Sequence, residues 1–262
     1  MEFLSRRVLP IAVDMRTLEH ITYTPAPDII HEAAGHAPII ANTDYADYLC
    51  AYGEVAKKAI QSKHDSELYK IIKKMSDMKE DPNVSKVELK KIEVELENKS
   101  SENHWTSEAN ELARMNWWTI EYGLIGDLNN PKIYGAGLLS SVSESLDCLD
   151  KKVKKIPISI ECIHQDYNIT EPQPQLYVAN NFKDLIKILD DYSKTMGFKT
   201  GGKDGVKKAI LSENVTTALY DSGLQISGII KNYISDNNGE ITYLNYDKNV
   251  QLSYSDNEIP NH

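Results

Sequence analysis

PDIIHEAAGHAPIIANTDYADYL, residues Pro27–Leu49, carries two histidines, His31 and His36, in an otherwise small and apolar run. Asp28 is a good N-cap, so the pattern predicts a helix that begins there, with His31 in its opening turn. On an ideal α-helix residues five apart point about 140° away from one another. For both imidazoles to meet one ion, the helix must distort locally or both rings must reach, and Gly35 permits a loosened turn. The likeness of HEAAGH to the H-E-x-x-H motif of zinc proteases fails on spacing, because Gly35 stands where the second histidine belongs. The pair reads either as metal ligands or as two satisfied, partly buried histidines.

A carboxylate bears on the choice. Glu121 lies in NWWTIEYGLIG (Asn116–Gly126), a strongly apolar helical stretch where a charge is costly to bury unless it is paired or bound to a cation. Arg114 or a nearby lysine is one candidate partner. The other reading joins Glu121 to His31 and His36 as the two-histidine, one-carboxylate set of non-haem Fe(II) oxygenases, which leaves coordination positions open.

The totals exclude several classes. The chain has 262 residues, 41% hydrophobic and 26% charged. No apolar run approaches the roughly 20 residues of a membrane-spanning helix, so no membrane role is expected. The opening MEFLSRRVLPIAVDMR lacks the sustained apolar segment and cleavage site of an export signal. Cys50, Cys148 and Cys162 form no CxxC pair and suit a reducing compartment, with a cytoplasmic location expected. A formal charge of -10, with lysines interleaved among glutamates, argues against nucleic-acid binding.

Between about residues 55 and 110, Ile60, Leu68, Ile71, Ile72 and Met75, then Leu89, Ile92 and Leu96, predict a solvated helical hairpin broken at EDPN around Pro82. From ARMNWW to ILDDY helical periods dominate, separated by the turn signals NNP and EPQPQ. Beyond MGFKTGGKDG, the segments LQISGIIKNYI, ITYLNY and VQLSYS alternate as short strands, turning at Asn238 and Gly239. The expected fold is mainly α, a helical core over 1–205 with the inserted hairpin, followed by a small β-rich segment over 206–262.

Four segments in order, YTPAPDIIHEAAGH, WWTIEYGL, KIYGAGLLSS and PQPQLYV, resemble the successive signatures of the tetrahydropterin-dependent aromatic amino acid hydroxylases, of the bacterial phenylalanine 4-monooxygenase-like type. The likeness runs roughly from Arg16 to Tyr192, apart from the hairpin. It implies a hydroxylase-like helical core in which His31, His36 and Glu121 hold iron(II). It further implies that Arg16 pairs with the substrate carboxylate and that Thr24 and Ser140 line the amino-acid site, Ser140 lying close to His31 as a catalytic-site residue. Pro27, Trp117 and Tyr122 would wall the substrate ring, and Glu32 would be a catalytic acid near the pterin. The implied reaction reduces O2 by four electrons, two from tetrahydrobiopterin or a related tetrahydropterin and two from the aromatic substrate. One oxygen atom enters the arene and the other leaves on the pterin. Phenylalanine is the first candidate substrate, and the protein's share is positioning and exclusion of water.

Three departures accompany the likeness. Fifteen residues precede Arg16, where the family places a pterin-binding loop, so the alternative expectation is a shortened, catalytically silent iron-binding or interaction module without a complete pterin site. The hairpin is not present in the animal enzymes. Ser143 replaces a glycine and Asn116 an aromatic residue of the animal pattern, which bears on pocket shape.

Overall fold

Tyr45, Tyr48, Leu49, Tyr52 and Gly53 recur at steps of three and four residues, and they form the buried face of the helix TDYADYLCAYGEVA. Asn42 caps that helix by accepting the Tyr45 backbone N–H at 3.1 Å. The structure, a computed structural model, describes residues 1–16, 27–80, 83–102, 104–169 and 171–260.

In chain order the elements are α1 (Glu2–Ser5), α2 (Ile29–His31), α3 (Ala37–Ile40), α4 (Thr43–Ala56), α5 (Lys63–Glu80), α6 (Lys86–Ser101) and α7 (Glu108–Asn116). Then come β1 (Leu124–Asp127), β2 (Asn130–Ile133), α8 (Ala136–Ser140), α9 (Val142–Asp147), β3 (Lys154–Pro157), β4 (Gln175–Ala179) and α10 (Phe182–Ser193). The chain ends with α11 (Gly197–Thr200), α12 (Gly202–Ser212), β5 (Val215–Leu219), β6 (Leu224–Ser235), β7 (Ile241–Tyr254) and β8 (Asn257–Glu258). Two π-helical turns, Glu32–His36 and Trp117–Glu121, follow α2 and α7 directly.

The chain forms two compact units. The first comprises Met1–Lys58, Ser76–Pro82 and Glu111–Ser193; the second comprises Ala59–Met75, Asn83–Asn110 and Lys194–His262. In the first, α4 packs on α10, with the Tyr45 and Phe182 rings 5.1 Å apart. A four-stranded sheet of order β2-β1-β4-β3 completes this core. β1 pairs antiparallel with β2, whereas β1 and β3 both run parallel to β4. Leu176, Tyr177, Val178 and Ala179 of β4 are all buried.

This sheet qualifies the mainly α expectation, since a region in which helical periods dominate the sequence contains four strands. Each has only four or five residues. A strand buried on both faces carries a continuous apolar run rather than alternation, so LYVA gives no period-two signal.

The second unit holds most of the hairpin. Ser85 opens α6 with a capping box, its hydroxyl accepting the Glu88 N–H while the Glu88 carboxylate accepts the Ser85 N–H. Lys99 bridges Glu67 and Glu102, each at 2.7 Å. Of the expected break, Asp81 and Pro82 lie outside the described residues. Buried Glu108 accepts the backbone N–H groups of Ile60 and Gly197 and the ammonium of Lys208, at 3.0, 2.7 and 2.8 Å. The C-terminal sheet is an antiparallel meander, β5-β6-β7-β8. Its turn falls at the expected residues, with Gly239 at φ 89 and the Asp236 carboxylate accepting the Asn238 and Glu240 N–H groups. ITYLNY and VQLSYS prove to be one strand, β7, and β5 is an additional strand. Among the described residues no helix is long and apolar enough to cross a membrane.

Candidate active site

Asp28 caps α2 as expected, its carboxylate accepting the His31 backbone N–H at 2.9 Å. The next turn is π-helical: the Ala37 N–H reaches the Glu32 carbonyl, five residues back. Closing hydrogen bonds at i→i+5 widens the turn and reduces the angular mismatch that an α-helix would impose on His31 and His36. Their Nε2 atoms lie 3.2 Å apart with the rings at 82° to one another. Gly35 contributes through close approach. A Cβ there would lie 2.6 Å from the Ala136 carbonyl oxygen of α8, so only glycine lets the two segments meet at this distance.

Glu121 is delivered by the second π-turn, closed by the Tyr122 N–H donating to the Trp117 carbonyl at 2.8 Å. Two buried hydroxyls brace it. Thr119 donates to the Met115 carbonyl at 2.7 Å, and the Tyr48 hydroxyl meets Thr119 at 2.8 Å. The Glu121 carboxylate lies 3.4 Å from His31 Nε2 and 3.5 Å from His36 Nε2. Among the described residues this is the one group of three histidine, cysteine or acidic side chains close enough to share a metal ion, its ligand atoms all within 4.8 Å of one another.

Burial alone would raise the Glu121 carboxyl, but its contacts with His31 and His36 outweigh that and hold it at about 2. Burial also disfavours charge on His36, yet the pull of Glu121 wins and its pKa rises. The alternative salt bridge to Arg114 does not form. That guanidinium instead meets Asp166 at 2.6 Å and donates to the Ile163 carbonyl at 3.2 Å.

Ser140 sets the tautomer of His31. Its hydroxyl has a single proton, donated to the Ala136 carbonyl at 2.8 Å, so toward His31 it acts as acceptor of the Nδ1–H, also at 2.8 Å. His31 Nε2 is then the bare nitrogen, and it faces His36 and Glu121. Two imidazole nitrogens and one carboxylate converging with no lysine or arginine interposed among the described residues fit a borderline divalent metal such as iron(II).

Arg16 is 4% exposed at its side chain and gives one edge of its fork to Asp28, through Nε at 2.8 Å and Nη2 at 2.7 Å. That pairing holds the Asp28 carboxyl well below the usual carboxylate range. Nη1, 3.4 Å from the Ser140 carbonyl, and the second Nη2 proton make up the remaining edge, which can still receive a carboxylate. Asp28 thus ties Arg16 to the helix that carries His31. Sequence reading had assigned Asp28 only the cap.

The remaining expected residues are placed unevenly. Thr24 lies outside the described residues, and Pro27 is exposed. Glu32 is half-buried, without a side-chain hydrogen bond among the described residues. Trp117 stacks on Tyr122 at 4.5 Å and on Tyr167 at 4.3 Å, both nearly parallel. Two tyrosines that close over one indole must occupy opposite faces, because side by side on one face they would collide. The expected free face of Trp117 is therefore covered, a correction to its reading as a ring wall: in this arrangement it supports Tyr122 instead. Its Nε1–H is buried without an acceptor among the described residues. Tyr167 was missed because it follows CIHQD in a connection with no periodicity.

The family model for "Biopterin-dependent aromatic amino acid hydroxylase" matches residues 2–80 and 92–200. Phenylalanine-4-hydroxylase of Bos taurus is 30% identical over 175 residues, which are 66% of this chain and 29% of that protein. Phenylalanine-4-hydroxylase of Chromobacterium violaceum is 28% identical over 186 residues, 70% of this chain and 48% of that protein. The chain thus spans less than half the length of both relatives. Among solved structures, Chromobacterium violaceum phenylalanine hydroxylase with bound iron (III) and oxidized cofactor 7,8-dihydrobiopterin has a TM-score of 0.51 at 26% identity, covering 74% of this chain and 55% of that one. The apo cold-active phenylalanine hydroxylase of Colwellia psychrerythraea 34H has a TM-score of 0.51 at 27% identity, covering 73% and 59%.

Proposed function

Because this chain belongs to the biopterin-dependent aromatic amino acid hydroxylases, we propose that it hydroxylates the ring of an aromatic amino acid, phenylalanine first, using O2, a tetrahydropterin and iron(II). The observation that carries this reading is the convergence of His31, His36 and Glu121; the Ser140 contact with His31 Nδ1 favours the tautomer that leaves Nε2 bare toward them. Iron(II) held by these three would supply the redox chemistry with O2 and pterin.

The chain's own residues bind and orient. The edge of Arg16 that Asp28 does not occupy takes the amino-acid carboxylate, while Asp28 keeps the guanidinium pointed and charged. Ser140 fixes the His31 ring through Nδ1 and shares the guanidinium side of the site through its carbonyl. Tyr122 and Pro27 contribute apolar surface for the substrate ring, Thr24 lines the amino-acid end, and Glu32 serves the pterin side. The hydroxylase core extends to about residue 205, with the hairpin and the 206–262 segment accessory to it. In support of the C-terminal boundary, the family match stops at 200; within the hairpin it omits only 81–91 and includes 63–80 and 92–101. A cytoplasmic location is compatible with three free cysteines, Cys148 and Cys162 being buried.

The test is product formation from phenylalanine, tyrosine and tryptophan by iron-loaded protein with tetrahydrobiopterin and O2. Ring hydroxylation that requires all three additions supports the reading. Iron binding without product from any of the three substrates would instead identify a silent iron-binding or interaction module.

A further inference from the structure

Glu144 has no part in the site so far, yet it holds the residue beside Glu121. It lies on α9, whose cap Ser141 accepts the Glu144 backbone N–H at 3.3 Å. Its Oε2 accepts the Tyr122 hydroxyl at 3.0 Å. Burial pushes the Glu144 carboxyl up and the Tyr122 bond opposes this, with no cation contributing. A half-buried acid with no cationic partner among the described residues costs stability, which directs attention to what its hydrogen bond does.

At least three contacts hold Tyr122. Its hydroxyl is taken by Glu144, one ring face lies on Trp117, and Gly137 of α8 approaches so closely that an added Cβ would sit 2.9 Å from Tyr122 Cε2. Trp117 is backed in turn by Tyr167. We propose that Glu144 is a positioning residue: through the Tyr122 hydroxyl it fixes the Tyr122–Trp117–Tyr167 stack and so sets how the amino-acid ring fits. Without that anchor, rotation about the Tyr122 side chain can lift the ring from the indole and change the space offered to substrate. The part concerning substrate rests on the hydroxylase reading; the placement of the stack does not.

The variants are Glu144→Gln, which keeps an acceptor oxygen, Glu144→Ala, Tyr122→Phe and the double variant Glu144→Ala/Tyr122→Phe. Near-ultraviolet circular dichroism and tryptophan emission of the metal-free proteins report the stack. Glu144→Ala and Tyr122→Phe should shift both spectra alike, the double variant no further, and Glu144→Gln should keep the wild-type spectra. With iron and tetrahydropterin, Glu144→Ala should raise the KM for the amino acid about tenfold, leaving kcat and the pterin KM within about twofold. Wild-type spectra in Glu144→Ala, additive shifts in the double variant, or equal loss in Glu144→Gln would overturn the assignment. If Glu144→Ala does not fold, Tyr122→Phe decides: an unchanged spectrum or unchanged amino-acid KM overturns it. A wild-type protein that hydroxylates no aromatic amino acid would instead defeat the hydroxylase reading, while the spectra still judge the stack.

Discussion

Replacing Gly35 with alanine perturbs the candidate metal site without touching a ligand. The new Cβ would lie 2.6 Å from the Ala136 carbonyl oxygen and 3.0 Å from both Ala136 C and Cα. All three are backbone atoms of α8, so no flexible side chain can yield. The same carbonyl accepts the Ser140 hydroxyl, whose oxygen takes the His31 Nδ1–H. In an ordinary exposed helix the exchange would stabilise by up to about 1 kcal/mol. Overpacking costs about 1–3 kcal/mol, and contact with rigid backbone places this case toward the upper figure, so net destabilisation of about 1–2 kcal/mol is expected. Displacing α8 also loosens the bond that orients His31, and loss of such a contact lowers metal affinity about 10–100-fold. Urea unfolding of metal-free protein reads the first effect, and anaerobic iron(II) titration reads the second. Ser140→Ala is the comparison: it should lower affinity by a similar factor with less loss of stability. A Gly35→Ala protein with wild-type unfolding midpoint and iron affinity would refute the close approach and the argument built on it.

Two further outcomes follow from buried charges. Asp28→Asn removes the charge that compensates a nearly inaccessible Arg16 guanidinium, and breaking such a pair costs about 3–5 kcal/mol. The Asp28 pKa is depressed in the folded state, so its stabilisation is present above the unfolded carboxylate range near pH ~4 and is lost as pH falls below it. The stability gap between wild type and Asp28→Asn, measured by urea unfolding, should therefore narrow on acidification; a gap that does not shrink would contradict the assignment. Glu108→Ala leaves Lys208 and two backbone N–H groups without their shared acceptor, and should cost about 3–5 kcal/mol in hydrogen-exchange protection of the second unit while iron affinity is unchanged.

The three proposed metal ligands could be picked out in the sequence because an acid inside WWTIEYG requires compensation, and two histidines, one of them beside a glycine, offer it. What brings them together was not visible. A π-turn differs from an α-turn only in which carbonyl each N–H reaches, and EAAGH and WWTIE contain residues that suit either. The need for Gly35 likewise depends on α8, about a hundred residues further along, so local reading attributes it to a loosened turn. Tyr167 and Glu144 occupy a connection and a short helix, where the pairing of a ring or a carboxylate is set by tertiary placement. The sheet around β4 escaped because full burial erases alternation, whereas the longer strands β6 and β7, with Asn238–Gly239 between them, announced themselves through the turn.

The most direct test is an anaerobic iron(II) binding isotherm for metal-free wild type beside His31→Ala, His36→Ala and Glu121→Ala. A single ion per chain, lost in each variant while the proteins remain folded, is the predicted result. Wild-type protein that takes up no iron, or uptake that survives removal of any of the three side chains, would contradict the proposed centre.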